Sequence, residues 1–495
     1  MRAPVIAFAA AAAIATVLTP VIRGFARRRG LLDHALTSRK IHRKPIPRLG
    51  RVAIVVAFYL PLLFLGLAGG GAWSGFQGSP ARAVGLLAGG LGIALLGLVD
   101  DLRGVRPRHK LAVQVAIATV AYALGFRVDQ IANPFGPPIP LGAVGLPFTV
   151  LWITGVVNAM NLLDGLDGLA GGIALVAAST LFALAGFHGD QLMLLCLAAL
   201  GGAALGFLFF NFNPASIFMG DTGSMFLGFV LATTGIATSQ APSAAVSILV
   251  PIVALGLPIG DTLLAMARRA ASGVPMSQPD RGHVHHRLLD LGLSHRRAVL
   301  VLYGAAAVLG VSALALSSLS SWPAALLLAA VCALSCLFLR RLGFFDPNRA
   351  QAMLAQRRRN LELRAAIRRI GDMLGATETP WDVWVAVRFA AAPLGACAIA
   401  LHLADPASAA SEDFTEGFLG ASRGLLRKQF GLEVERPGTR RIELGWADGR
   451  MGIDRDTEIA VELLCEHIAC AVDRIERGRE RPQQGDKVVR LPRVG

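Results

Sequence analysis

The hydrophobic positions of this chain fall into long blocks separated by short polar segments. We place eleven blocks, at 4–22, 52–71, 83–99, 111–126, 147–160, 169–187, 191–210, 225–239, 244–264, 298–317 and 322–340. Most of them approach or exceed the roughly 20 residues that a helix needs to cross a bilayer. The pattern therefore predicts eleven transmembrane helices in the first 342 residues.

Most of the polar, chemistry-capable residues lie between these blocks in five segments. The segments are 42–51, 100–110, 158–168, 211–224 and 279–288. Counting spans from an outside N-terminus places all five on the cytoplasmic side. Charge agrees with this count, because Lys and Arg crowd the loop 23–51 whereas the predicted outside loops hold little beyond Arg82 and Arg127. A polar surface on one side of a helical bundle predicts an enzyme that works at a membrane–water boundary.

Composition supports a membrane protein and excludes other classes. Only 16% of the 495 residues are charged, and the mean hydropathy is +0.56. The net charge of +15 would indicate nucleic acid in a soluble protein. Here much of it lies in short loops, so we expect no nucleic-acid partner but membrane lipids and anionic substrates. The six cysteines include no CxxC pair, which argues against a zinc ribbon.

The composition becomes ordinary after residue 342, which predicts a second domain at 343–495. It opens with a basic linker helix at 356–374, continues with strand-like runs at 381–390, 396–403 and 440–447, and closes with a helix at 456–478. This order is α+β and is similar to a GAF-type sensory module. The predicted fold class is an all-α polytopic membrane protein with a C-terminal soluble α+β domain.

Asp100 and Asp101 follow a long apolar span. Two adjacent carboxylates repel each other unless a cation lies nearby, and Lys110 or Mg²⁺ could supply it. A solvated helix cap is the simpler interpretation. The functional interpretation is a loop that handles phosphate and metal.

The segment 158–172 spaces its polar groups regularly, with Asn158, Asn161, Asp164 and Asp167 three residues apart. Residues at this spacing share one helix face if the segment is helical. Their oxygens are hard ligands that suit Mg²⁺, and they can also accept from a nucleobase. The structural alternative is a turn between two spans.

The segment 211–224 begins at Asn211, a candidate substrate contact, and places Asp221 between two glycines. It lacks the GK[ST] ending of a P-loop. Phe218 could stack on a base while Asp221 holds a metal, although an aromatic residue here could also serve packing alone.

The segment 279–288 combines Arg281 with His283, His285 and His286. Clustered histidines suggest a zinc site as one interpretation. No cysteine or obvious fourth ligand supports it, and the arginines would repel a cation. We favour contacts to phosphate and sugar. Asp261, near the end of the ninth span, is either structural or part of the same cavity.

Together these motifs resemble the polyprenyl-phosphate N-acetylhexosamine-1-phosphate transferases, of the undecaprenyl-phosphate GlcNAc-1-phosphate transferase type, over about residues 1–340. The resemblance implies eleven transmembrane helices and Mg²⁺, with Mn²⁺ as an alternative. It implies transfer of a sugar 1-phosphate from a UDP-N-acetylhexosamine to undecaprenyl phosphate with release of UMP. Such a reaction would initiate cell-envelope polysaccharide synthesis.

The resemblance also assigns roles to matching residues. Asp100 and Asp101 match the aspartate pair at the reacting phosphates, and Asp164 and Asp221 are further catalytic positions. The metal positions are Asn161 and Asp221. The substrate contacts are Lys110, Asp167 near uracil, Asn211, Phe218 stacked on uracil, Arg281, His283, His285 and His286.

We therefore expect a multi-pass protein of the inner membrane, with its active site and C-terminal domain in the cytoplasm and a homodimer as one candidate assembly. Three alternatives remain open. One is a phospho-MurNAc-pentapeptide transferase. Another is a transporter that uses the polar residues as a solute path. The third is a membrane-anchored sensor whose active part is the C-terminal domain.

Overall fold

The computed structural model describes residues 2–28, 32–33, 46–47, 51–68, 71–131, 139–239, 248–272, 282–319, 321–344, 347–404, 411–417, 426–432, 440–449 and 452–479. The chain divides into two compact units. The first comprises 1–268 and 276–346, and the second comprises 269–275 and 347–495.

The first unit is almost entirely helical. Its helices are α1 (Arg2–Arg28), α2 (Arg51–Ala68), α3 (Gly71–Gly78), α4 (Pro80–Arg103), α5 (Pro107–Ala123), α6 (Gly145–Leu163), α7 (Leu169–His188), α8 (Gln191–Asn211), α9 (Gly220–Ser239), α10 (Leu249–Ala254), α11 (Gly256–Ser272), α12 (Val284–Asp290), α13 (His295–Ser318) and α14 (Ser321–Arg341). Two short antiparallel pairs join β1 (Leu32–Asp33) to β2 (Ile46–Pro47) and β3 (Gln130–Ile131) to β4 (Ile139–Pro140).

Within the described ranges, eight helical segments are long and apolar enough to cross a membrane. They are Arg2–Phe25, Pro80–Arg103, Gly142–Leu163, Leu169–His188, Gln191–Asn211, Gly220–Ser239, His295–Ser318 and Trp322–Arg341. The other three predicted spans fall on α2, on the 17-residue α5, and on the pair α10 and α11. The chain is thus a multi-pass membrane protein, and the count of eleven spans stays a prediction.

Several predicted spans differ in their bounds from the observed helices, and two of them show the physical reason. The span at 147–160 was too short, because the helical segment runs from Gly142 to Leu163. Pro147 lies in the first turn of α6, where its missing N–H costs no helical hydrogen bond. The span at 244–264 is not one continuous helix, since α10 ends before Leu255. Pro258 has no N–H to continue the hydrogen-bond ladder at this point.

The core of the bundle lies around α8 and α9, which have the most buried span windows. Small residues let the backbones approach closely, as is common between membrane helices. A Cβ added to Gly202 on α8 would lie 2.2 Å from the carbonyl oxygen of Phe8, and one on Gly206 would lie 2.4 Å from that of Ala12. Helix α1 therefore packs directly against α8.

A second close approach joins α4 to α9. A Cβ on Gly97 would lie 2.5 Å from the Cα of Thr222 and 2.7 Å from its nitrogen. This contact brings the C-terminal end of α4 against the first turn of α9. The hydrogen bonds described below join these ends to the ends of α6 and α8 and the starts of α5 and α7, so the polar segments meet at one end of the bundle.

The second unit is α+β. Its elements are α15 (Pro347–Gly375), α16 (Pro380–Val387), α17 (Ala391–Leu394), β5 (Ala398–Ala404), β6 (Ser411–Glu416), β7 (Leu426–Gly431), β8 (Arg441–Trp446) and α18 (Arg455–Arg479). The strands form an antiparallel sheet in the order β6-β5-β8-β7. Leu401 and Ile442 are paired across β5 and β8, and they share a core with Ile367 of α15 and Leu464 of α18.

The strand-like run at 381–390 is helical, which corrects the sequence-based prediction. Thr379 and Asp382 form a reciprocal capping box, and Pro380 occupies the first helical turn. These start signals outweigh the β-propensity of the apolar residues that follow. The runs at 396–403 and 440–447 do form strands, as β5 and β8. The GAF-type likeness stays a prediction.

We expect Gly97→Ala to lower the melting temperature of the protein in detergent by several degrees. Alanine favours a helix over glycine, so any loss must come from the forced separation of α4 and α9, and overpacking of this kind costs about 1–3 kcal/mol. Gly155→Ala is the matched control, because no atom lies within 4 Å of a Cβ added there. Equal melting temperatures for the two variants would contradict the close approach.

Candidate active site

Asp101 connects α4 to the first turn of α9. Its Oδ1 accepts a hydrogen bond from the backbone N–H of Asp221 at 3.1 Å. Its Oδ2 accepts from the backbone N–H of Thr222 at 3.0 Å and from the Thr222 hydroxyl at 2.7 Å. The first N–H groups of a helix have no partner within it, and a carboxylate at this end also matches the helix dipole. Asp101 therefore acts as a helix cap supplied by a neighbouring helix.

Asp100 faces a different set of partners. Its Oδ1 accepts from the N–H of Val105 at 2.6 Å, and its Oδ2 accepts from Lys110 Nζ at 2.7 Å. The same ammonium donates to Asp221 Oδ2. One cation from α5 thus lies between carboxylates from α4 and α9, which offsets their mutual repulsion. The Asp221 side chain is the most accessible of the three, at 31% against 13% for each of the others.

Asn161 extends this cluster to the end of α6. Its Nδ2 lies 3.3 Å from Asp221 Oδ2, and its Oδ1 lies 2.7 Å from the Ser224 hydroxyl. Sequence reasoning missed Ser224, although it lies three residues after Asp221 and so on the same face of α9. Asn158 is directed elsewhere, since its Nδ2 donates to Gln114 Oε1 and to the Thr154 carbonyl, both at 2.7 Å.

Asp167 and Asn211 hold two loops together. Asp167 Oδ2 accepts from Asn213 Nδ2 and from the N–H of Ala215, both at 3.0 Å. Asn211 Oδ1 accepts from the N–H of Gly168 at 3.1 Å, and its Nδ2 donates to the carbonyl of Ile217 at 2.9 Å. Both residues are buried. The structure thus gives these two predicted substrate contacts a role in shaping the loops.

Asp164 and Phe218 lie on the same two loops and are half-buried. Asp164 directly follows α6, and Phe218 precedes α9 by two residues. Both keep part of their surface exposed at the end of the bundle where Asp100 and Asp221 meet.

The histidine segment lies against the loop that follows α6. A Cβ on Gly165 would lie 2.7 Å from Nε2 of His285. The rings of His283 and His285 are stacked with centroids 5.5 Å apart, and His286 lies 4.3 Å from His285. Burial, helped by the neighbouring His286, lowers the pKa of His285 to about 3. This ring is therefore neutral at physiological pH. Arg281 lies outside the described residues.

Sequence reasoning also missed Tyr303, which α13 inserts beside this loop. Its hydroxyl donates to the carbonyl of Gly168 at 2.5 Å. A Cβ on Gly172 would lie 2.0 Å from the Tyr303 ring, so the ring occupies the space that this glycine leaves. The available signal was a tyrosine near the polar end of an otherwise apolar span.

The oxygen atoms of the cluster suit a divalent metal held together with substrate. In the part of the chain that the structure describes, no group of three or more His, Cys, Asp or Glu side chains is arranged to hold an ion alone. Mg²⁺, however, commonly uses one or two protein carboxylates and takes its other ligands from phosphates and water. The carboxylate of Asp221 fits that requirement, with Asn161 beside it. In this arrangement the amide nitrogen of Asn161 faces Asp221 and its oxygen accepts from the Ser224 hydroxyl.

Comparison with known proteins gives the family of the chain. The profile of glycosyl transferase family 4 matches residues 83–239, which include most of α4 and all of α5 and α9. The chain is 37% identical over 319 residues to a probable undecaprenyl-phosphate N-acetylglucosaminyl 1-phosphate transferase of Bacillus subtilis, covering 64% of this chain and 86% of that protein.

Two further relatives extend the comparison. The chain is 34% identical to a decaprenyl-phosphate N-acetylglucosaminephosphotransferase of Mycolicibacterium smegmatis, over 59% of this chain and 77% of that protein. It is also 34% identical to a phospho-N-acetylmuramoyl-pentapeptide-transferase of Nostoc, over 46% of this chain and 65% of that protein.

We expect Asp101→Asn to destabilise the membrane unit. The amide has one acceptor oxygen in place of two and no charge, so part of the α9 cap is lost, and hydrogen bonds to charged groups contribute about 1.5–3 kcal/mol each. The measurement is the melting temperature in detergent. Asp129→Asn, at an exposed position beyond α5, is the control and should leave it unchanged. If both variants melt with the wild type, Asp101 does not support α9.

Proposed function

This chain belongs to glycosyl transferase family 4, and on that premise we propose that it transfers N-acetylglucosamine 1-phosphate from UDP-GlcNAc to undecaprenyl phosphate, with release of UMP. The observation that carries the proposal is the cluster of Asp100, Lys110, Asn161 and Asp221 at one end of the bundle. The names of the Bacillus and Mycolicibacterium relatives support this sugar. The product would initiate a cell-envelope polysaccharide.

The chemical step follows from the charges of the two substrates. The second pKa of a phosphate monoester lies near about 6, so the lipid phosphate is already mostly ionised at neutral pH. Its oxygen forms a bond to the β-phosphorus of UDP-GlcNAc, and the bond from that phosphorus to the bridging oxygen breaks, which leaves UMP. No proton has to be transferred. The main barrier is the approach of two anions, and positioned cations lower such barriers.

The residues of the cluster have different roles in this transfer. Lys110 supplies a positive charge between Asp100 and Asp221, where the phosphates would meet. A magnesium ion, held by Asp221 and Asn161 together with phosphate oxygens, would neutralise charge on the diphosphate and on the departing UMP. Asp101 keeps the first turn of α9, and with it Asp221, in position. Phe218 is the candidate for stacking on the uracil, and Asp164 is a further candidate catalytic residue.

An apolar cavity of about 350 Å³ suits part of the polyprenyl chain. It lies between α11, α13 and α14, and its lining includes Leu264, Val301 and Phe338. Apolar walls suit the hydrocarbon tail of the lipid. We assign the active site to the cytoplasmic side of the inner membrane, where loop charge places these ends.

Two other functions are less well supported. The phospho-MurNAc-pentapeptide relatives match a smaller share of the chain. A transporter would place ionisable residues near the middle of its spans. Here Asp100 lies in the last turn of α4 and Asp221 in the first turn of α9, which is the arrangement of a surface site.

We expect the purified full-length protein, given undecaprenyl phosphate and Mg²⁺, to release UMP from UDP-GlcNAc and to form a lipid-linked sugar. Asp221→Ala should reduce turnover by at least about 100-fold, since it would remove a ligand of the metal ion, and loss of one interaction that stabilises transition-state charge has that effect. Chelation of the metal should also stop the reaction. UDP-GalNAc and UDP-MurNAc-pentapeptide are tested as alternative substrates in the same assay.

Asp129→Ala is the control for this assay and should retain full turnover. Turnover of UDP-MurNAc-pentapeptide alone would favour the second candidate. Absence of UMP release with every sugar nucleotide, from protein with an unchanged melting temperature, would overturn the proposal.

A further inference from the structure

Asp261 is a buried carboxylate that the proposed chemistry does not use. It lies on α11, and its side chain is 3% exposed. Both of its oxygens have partners at the start of α12. Oδ1 accepts from the backbone N–H of Val284 at 2.8 Å, and Oδ2 lies 2.9 Å from Nδ1 of His283.

The bond to His283 determines where the proton of the ring lies. An ionised carboxylate only accepts hydrogen bonds, so Nδ1 must be the ring nitrogen that carries a proton. Nε2 is then left for another partner, as an acceptor when the ring is neutral and as a donor when it is protonated. Asp261 thus fixes both the tautomer and the orientation of His283.

The bond to Val284 replaces a cap that the local sequence lacks. His283 is the N-cap residue of α12 and makes no side-chain capping bond. Histidine is not among the residues preferred at that position. A single carboxylate on α11 therefore anchors the start of α12 and the imidazole next to it.

His285 shows the contrast. Both rings are buried, but Nδ1 of His285 has no hydrogen-bond partner among the described residues, and its ring packs against Gly165. Of these two stacked rings, only that of His283 is held by a carboxylate. The two histidines of the motif consequently have different roles, which their spacing alone does not distinguish.

We propose that Asp261 is a positioning residue that acts through His283, holding the proton on Nδ1 so that Nε2 is the acceptor available to a hydroxyl group of the substrate sugar. The catalytic part of this inference rests on the proposed function. The tautomer assignment does not, because it follows from the hydrogen bond between the Asp261 carboxylate and His283 alone.

The variant Asp261→Asn tests the two hydrogen bonds of Asp261 separately. The amide oxygen can still accept from Val284, but the amide nitrogen donates toward Nδ1 of His283 and therefore favours the proton on Nε2. We expect kcat/KM for UMP release to fall at least 10-fold while the melting temperature changes little. Asp261→Ala loses both bonds and should also lower the melting temperature. Asp290→Asn, at the exposed end of the same α12, is the matched control for both measurements.

A double-mutant cycle tests whether Asp261 acts through His283. In a His283→Ala background, Asp261→Asn should cause no further loss of kcat/KM. Losses that multiply would overturn the proposal, as would full activity of Asp261→Asn.

Histidine-selective ¹⁵N NMR at pH 8.5, with His283→Ala used for assignment, gives a readout that does not depend on turnover. The proton of the neutral ring should lie on Nδ1 in the wild type and on Nε2 in Asp261→Asn. The same tautomer in both proteins would overturn the inference. If no sugar nucleotide is turned over but the tautomer changes as expected, the proposed function fails and the positioning of His283 stands.

Discussion

The site depends on one shared cation. Lys110 at the start of α5 lies between Asp100 at the end of α4 and Asp221 at the start of α9. Without it, two partly buried carboxylates would face each other, and each would favour the protonated state. The Lys110 ammonium instead attracts both carboxylates and so joins three helix ends. This attraction is strong because the surroundings are less polar than water. The absence of a side chain at Gly97 is what lets α4 and α9 come close enough for this arrangement.

In each pair of neighbouring acids, one residue stabilises the fold and the other remains available for the reaction. Asp101 uses both oxygens on the first turn of α9, whereas its neighbour Asp100 faces the shared cation. Asp167 is buried and holds the loop 213–215, whereas Asp164 remains half-exposed. His285 and His283 differ in the same way. A site that holds several anions close together needs some of its polar residues to stabilise the local fold. The motifs therefore contain more polar side chains than can contact the substrate.

The sequence predicted the membrane class and the family, because long apolar blocks and motif spacing are local properties. It predicted less well where a helix contains proline or glycine. Pro147 belongs inside α6, and the break at Leu255 divides a predicted span. It could not indicate the partners of Asp101, Tyr303 and Asp261, because each partner lies on another helix and is brought near only by packing. The edge strands β6 and β7 were missed because their residues are largely polar.

The most direct test of the account is a cross-linking measurement on the membrane-embedded protein after replacement of its six cysteines. Cysteines at positions 110 and 221 should be joined by a short bismaleimide, because the side chains of Lys110 and Asp221 are in contact. The pair at 78 and 221 is the control and should not react, since Gly78 precedes the 24-residue α4 at its opposite end. Efficient cross-linking of the first pair alone is the predicted result. Failure of the first pair, in protein whose single cysteines both react, would contradict the shared site.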